Sequence, residues 1–358
     1  MDSFTARVKT SCQLAVRGQA WLANALFLSA LALVALTARL VWHVPEALLT
    51  TLGTSLLLVG LAAWALHGLR RPPLRRWMVW AGLVWPCLVA AFLGAVYRVD
   101  RGGWLWFRLT GYERAPQEEM SESMAWSASD FLRHNPMFSL VQGSATDLLL
   151  KSAVYDIEET LIIPQGLSLT IEPGTVLRFA PGRSLISYSP IIARGTARQP
   201  IEFNARWPLL KWGVIGIVRA GPSVFEHVRI RNGRYARVNQ LDFPGTLSLL
   251  QSDAVVTGSQ FVNLFGRDAL YVWNARAEIR GNMFRTTYKD GVDFDGGSGV
   301  IADNQFLDCG DEGLDLSGDY DLAIFGNTVR DSGGGRIAVE KDRETVRASN
   351  SFGYSLKK

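Results

Sequence analysis

Cysteine is scarce in this sequence, and the three that occur lie far apart. Cys12 precedes a hydrophobic run, Cys87 lies inside another, and Cys309 lies in a β-rich region. That distribution excludes the disulfide framework of a small secreted domain. Most of the chain also lacks a basic excess. Residues 1–97 hold eight basic side chains against two acidic ones, whereas residues 98–358 hold 29 against 31. The net charge of +4 therefore belongs to the flanks of the hydrophobic runs and is no nucleic-acid footprint.

The N-terminal quarter is dominated by long apolar runs. Trp21 to Trp42, Ala47 to Leu66 and Trp77 to Tyr97 each have about twenty residues, enough to cross ~30 Å of hydrocarbon as a helix. Trp21, Trp42 and Trp77 mark their ends, where amphipathic rings favour the headgroup level. The link between the second and third runs carries Arg70, Arg71, Arg75 and Arg76, and the segment before the first carries Arg7, Lys9 and Arg17. The link between the first and second, at His43–Glu46, has neither Lys nor Arg. The positive-inside rule then predicts a cytoplasmic N-terminus, with everything after the third span on the other side of the bilayer. Arg39 lies one turn from the outer end of its span, where it can snorkel. These features predict a three-helix anchor over 1–97 in a bacterial inner membrane, whose lipid bilayer is the first partner, with a periplasmic body.

Residues 98–147 read as a linker. Trp104–Leu109 forms a short aromatic stretch suited to the membrane interface. Met124–Leu132 has an amphipathic pattern that would cap the open end of a solenoid.

From 148 to 358 the sequence repeats. Ser259-Gln-Phe261, Asn282-Met-Phe284, Asn304-Gln-Phe306, Asn327-Thr-Val329 and Asn350-Ser-Phe352 align with intervals of 23, 22, 23 and 23 residues. An asparagine stands two residues before the anchor in four of the five. Asparagine tolerates the left-handed turn conformation, and stacked copies can hydrogen-bond from coil to coil. The period and the alternating short strands fit a β-solenoid and lack the Leu-x-x-Leu-x-Leu signature of a leucine-rich repeat. Upstream, Leu161–Phe179 alternates between Pro-Gly-type turns, followed by Arg194-Gly-Thr196, Gln199-Pro-Ile201 and Trp212-Gly213. On these residues the region from about 150 to 355 resembles the right-handed parallel β-helix proteins of the pectin-lyase-like group. Asp290–Asp295 and Asp311–Ser317 are also similar to β-helix modules found beside spore-coat-H-type and cell-surface polysaccharide proteins. The resemblance implies fold and not activity, since the same solenoid hosts lyases, hydrolases, epimerases and binding modules.

Overlaying the coils aligns Leu270, Val292, Leu314 and Ile337, with Val272, Phe294, Leu316 and Val339 beside them, as an inward stack. The expected outward columns are Asp268/Asp290/Glu312, Tyr271/Asp293/Asp315 and Trp273/Asp295/Ser317/Glu340. Carboxylates stacked about 4.8 Å apart repel one another, which raises pKa values or draws in a cation, Ca²⁺ being the one that oxygen ligands of this kind would take. Carboxyl pairs about 5 Å apart suit retaining glycoside hydrolysis. The candidate catalytic residues are Asp293, Asp295, Asp315 and Lys341. Tyr271, Trp273, Asp290, Glu312, Arg336 and Glu340 are the candidate substrate contacts. A merely solvated acidic face fits the same pattern, and the Gly-His-Gly phrase of polygalacturonase-like hydrolases is missing. A second cluster, Arg229, Arg231, Arg234 and Arg237, falls in an insert at 229–243 that stretches one coil interval to 33 residues and reads as a projecting loop, either solvated or meeting an anionic polymer, the headgroups or a partner.

The function expected is that of an accessory to polysaccharide synthesis or export, binding or helping to process a cell-surface polymer in the periplasm. The alternatives are a lyase, hydrolase or epimerase, and a docking platform for a membrane-protein partner.

Overall fold

The computed structural model describes residues 91–92, 94–100, 103–110, 118–120, 126–333, 337–339 and 350–353. The first two expected spans, and the third up to residue 90, lie outside the described residues. No helix among the described residues is long and apolar enough to cross a membrane. Trp104–Thr110, the aromatic stretch, is a helix of seven residues. It groups with the N-terminal compact unit, while 115–358 form the second unit apart from 100–102, which join it.

The second unit is a right-handed parallel β-solenoid of about eight turns. Short runs rich in Val, Ile, Leu and Phe form strands because branched and aromatic side chains suit a pleated, half-buried surface. Each coil contributes one strand to each of three faces. The first face runs through Leu161–Ile163, Leu185–Ser187, Ile215–Val218 and Gly245–Leu250, then the leading parts of Asp268–Arg280, Asp290–Ala302 and Leu314–Phe325, and ends at Ile337–Val339. The trailing parts of the three long strands continue the second face, begun by Asp147–Leu150 and carried by Ala254–Thr257. Among the described residues the third face has nine strands, from Val154–Ile157 to Ser351–Gly353.

The predicted repeat is the register observed. On the third face Phe261 pairs with Phe284, Phe284 with Phe306, Phe306 with Val329 and Val329 with Phe352. Phe261, Phe284 and Phe306 are fully buried and stack with ring centroids 4.6 and 4.9 Å apart. On the first face Leu270, Val292 and Leu314 form the inward column, with Val272, Phe294 and Leu316 beside them. Ile337 and Val339 continue that register.

The asparagine ladder differs in one respect from the sequence-based expectation. The left-handed residues are those just before it, Gly258, Gly281, Asp303 and Gly326. The asparagines themselves are buried inside the corner. Asn304 Oδ1 accepts from the backbone and side-chain nitrogens of Asn282, while Asn304 Nδ2 donates to Ile279 O at 2.9 Å and to Asn327 Oδ1 at 2.9 Å. Asn327 repeats the pattern onto Asn350. The side-chain amide thus supplies to the corner the hydrogen bonds that strand pairing supplies on the faces.

Where the long strands bend from the first face to the second, Asn274, Gly296 and Gly318 occupy left-handed conformations. Beyond the bend, Gly297 and Gly299 have φ of +122° and +138°, and a Cβ on either would lie within 2.1 Å of the Ala275 or Ala277 carbonyl oxygen. Only glycine lets these backbones approach so closely.

For the segment Met124–Leu132, expected to be helical, the described helix is Ala128–His134, with Ser127 as its N-cap accepting from the Asp130 amide. Its Phe131 is 1% exposed and meets Phe138 edge-on, joining the solenoid core at its open end.

The insert is a larger correction. Ile230 pairs with Phe261, so the interval is 31 residues and not 33. The extra residues do not project into solvent. Ala236–Val238 and Leu241–Phe243 form an antiparallel hairpin turned by Asn239 and Gln240, both left-handed. It folds back on the first face, burying Ala236, Val238 and Phe243 with Ile162, Ile186, Val214, Val218 and Leu250 in a second hydrophobic cluster outside the solenoid. Arg234 is 1% exposed, with its guanidinium 4.0 Å from the Tyr235 ring centroid. Arg229 pairs with Glu202 at 3.1 Å, and Arg237 with Glu118 at 2.7 Å. Arg229, Arg234 and Arg237 are therefore dispersed among local contacts and do not form a common basic patch, because the hydrophobic residues interleaved with them pull the segment onto the sheet.

A third strand, Glu118–Glu119, adds in parallel to this hairpin, with Glu119 bonded to Arg183 and accepting from Thr160 Oγ1. Glu119→Ala is expected to speed amide exchange at Asn239 and Gln240. Those amides donate to Glu119 O and Glu118 Oε1, and local opening costs less once the strand's side-chain anchors are gone. Unchanged exchange would mean that backbone pairing alone holds the strand.

Candidate functional site

The first face carries one outward column from end to end. Ile162, Ile186, Gly216, Ser248, Tyr271, Asp293 and Asp315 stand in consecutive register. A neighbouring column runs Val218, Leu250, Trp273, Asp295 and Ser317. Their chemistry changes where the hairpin ends. Upstream, Ile162, Ile186, Ser248 and Leu250 are buried on what is nominally the solvent side, and a Cβ on Gly216 would lie 2.4 Å from the Phe243 ring. Downstream, Tyr271, Asp293, Asp295, Asp315 and Ser317 are half-buried, and Trp273 is 41% exposed. Apolar residues fill the column under cover, and acids and aromatics fill it in the open.

Tyr271 stands at the boundary. It packs against the hairpin cluster and donates its hydroxyl to Asp295 Oδ2 at 3.3 Å. Burial pushes its pKa up, with the Asp295 and Asp293 charges adding to the effect. Ser317 donates to the other oxygen of Asp295 at 3.3 Å. Asp293 and Asp315 are direct cross-strand partners. Burial first, then the charges of Asp315 and Asp295, raise Asp293 to about 7. A carboxyl poised near neutrality next to further carboxyl groups can exchange a proton with a bound hydroxyl-rich ligand.

The column Asp268/Asp290/Glu312 does not face outward as expected. Asp268 and Asp290 are 3% and 7% exposed. They share the inward parity of Leu270 and Val292, and they lie at the corner where the chain enters the first face, so strand alternation places them against the interior. Asp290 Oδ1 accepts from the Glu312 amide at 2.7 Å. Burial raises all three carboxyls, and like charge from Asp293 and Asp290 adds to the shift at Asp268. Carboxylate oxygens of Asp290, Asp311 and Glu312 lie within 4.8 Å of one another, a group that could hold a metal ion. Asp311 was not singled out from the sequence, although it precedes the aligned Glu312 and its carboxyl type was the only signal available. Oxygen-only donors of this kind suit a hard cation such as Ca²⁺.

Of the expected site residues, the structure brings Tyr271, Trp273, Asp293, Asp295 and Asp315 together on one open strip and places Asp290 and Glu312 in the adjoining corner. Arg336, Glu340 and Lys341 lie outside the described residues.

Residues 224–353 match the family model described as a right handed beta helix region. No curated protein matches the chain, and no solved structure does.

Proposed function

We propose that this protein is a membrane-anchored, extracytoplasmic β-helix that binds a cell-surface polysaccharide, as an accessory to its synthesis or export. The single observation carrying the reading is the open strip on the first face, where Tyr271 and Trp273 flank Asp293, Asp295 and Asp315. Aromatic rings offer apolar faces to sugar rings, and carboxyl oxygens accept hydrogen bonds from sugar hydroxyls. The strip lies on paired strands and not on loops, which holds its geometry without an ordering cost on binding. The arginine-flanked apolar runs of the first 97 residues support the anchor and the side of the membrane.

A second reading is supported by Asp293. A carboxyl raised to about 7 beside Asp295 and Asp315 has the proton needed by a general acid in glycoside cleavage or epimerisation.

Both readings meet in one experiment. The full chain in detergent micelles is applied to an array of neutral and amino-sugar oligosaccharides, and any glycan bound is then incubated with it and analysed for cleavage or isomerisation. Binding is expected, weakened about five- to thirtyfold by Trp273→Ala, in line with ~1–2 kcal/mol for a lost stacking contact. Turnover abolished by Asp293→Asn, with binding retained, would favour the enzyme. Retention of no glycan at all would overturn both.

A further inference from the structure

We infer that the hairpin at 236–243 is an end stop, so that the acidic strip takes the terminus of a glycan chain and not its interior. The inference rests on the glycan reading above and narrows it to a class of substrate end. Its basis is the boundary within a single register. Tyr271, Asp293 and Asp315 are half-buried and reach solvent, while the preceding members of their column, Ser248 and Gly216, are fully covered.

Coils repeat about 4.8 Å apart, close to the length of one pyranose unit, so a chain lying along the solenoid axis sets successive sugars over successive coils. Units would sit over the coils of Asp315, Asp293 and Tyr271. The next unit would have to occupy the space already filled by the hairpin. That cover is not a loose flap. Val238 and Phe243 are 1% and 0% exposed, and the hairpin is pinned from its far edge by Glu118 on Arg237 and by Glu119 on Arg183. A bound sugar would have to strip a packed apolar cluster to pass. The chain therefore ends at Tyr271, whose hydroxyl already points to Asp295 and can turn to a terminal sugar hydroxyl.

The test uses the full chain in detergent micelles and the array glycan that it retains, prepared as a ladder of size fractions and titrated by calorimetry. End capture predicts a constant number of proteins per glycan chain at every length, and an affinity that stops rising once the open coils are filled. A stoichiometry that grows in proportion to chain length would overturn the end stop while leaving glycan binding intact, as it would if the polymer crossed the face from side to side. If no array glycan is retained, the functional reading fails and the end stop falls with it.

Discussion

Replacing Asn304 with leucine is expected to lower the stability of the β-helix by about 3–5 kcal/mol, or ~10 °C in melting temperature. Leucine is nearly isosteric, so no cavity opens, and the effect isolates the hydrogen bonds. Asn304 is fully buried and serves both neighbours in the ladder. Its loss leaves the Asn282 backbone amide and one Asn282 side-chain proton without the acceptor they share, and removes one hydrogen bond that Ile279 O accepts, in a corner closed to water. Each stranded buried group costs about 1–3 kcal/mol, more than the net gain of the bond when made. The comparison variant is Ser259→Ala. The serine makes fewer contacts in the same column, donating to Phe225 O and Thr257 O and accepting from the Val228 amide, and it should cost less. Thermal melts of the full chain in detergent decide the matter. A loss below about 1 kcal/mol for Asn304→Leu would show that the corner rearranges to re-pair these groups, and the ladder would then be incidental to stability.

The second large effect concerns pH. Burial and mutual repulsion raise Asp268 to about 8 and Asp293 to about 7, and they push Asp290 and Glu312 upward as well. In the unfolded chain these groups titrate near 4. The folded state therefore binds more protons than the unfolded state between those limits. The stability so contributed is fully present below pH ~4 and is lost as pH rises through about 8. The β-helix is expected to melt highest in mild acid and to lose stability steadily toward alkaline pH, opposite to the usual behaviour of salt-bridged carboxylates. Asp268→Asn removes the most deeply buried of these acids. It should raise the melting temperature at pH 8.5 by several degrees, change it little at pH 5, and flatten the slope between them. If the cluster of Asp290, Asp311 and Glu312 binds Ca²⁺, adding the ion at pH 8.5 should recover part of the lost stability in the wild type, because a cation offsets the repulsion that deprotonation creates. A wild-type melting curve that is flat or rising from pH 5 to 8.5 would mean that water reaches these carboxyls.

The two experiments probe different faces of the same construction. Stacking equivalent positions multiplies whatever each coil carries. Where the position is an amide with both a donor and an acceptor, neighbours satisfy one another and the column stabilises. Where it is a carboxyl, neighbours repel and the column is held together against that repulsion by the rest of the coil.

The pattern of residues along the chain is enough to set the solenoid, its period and its inward column. Phe261, Phe284, Phe306 and Val329 fall into one column because the repeat is local: each coil uses the same order of strand and turn, and alternation assigns the side. The pairing of Tyr271 with Asp293 and Asp315, and of Trp273 with Asp295 and Ser317, follows from that register alone. Tertiary structure decided the rest, for reasons that no period encodes. Asp268 and Asp290 share the inward parity of Leu270 and Val292, and packing at the corner where the chain enters the first face buries them. The insert's arginines suggested a solvated loop, yet Val238 and Phe243 carried it back onto the first face. That fold-over, made between residues far apart in the chain, covers half of an outward column and leaves the other half open. The strip's residues were legible in the sequence; where the strip begins was set by what lies on top of it.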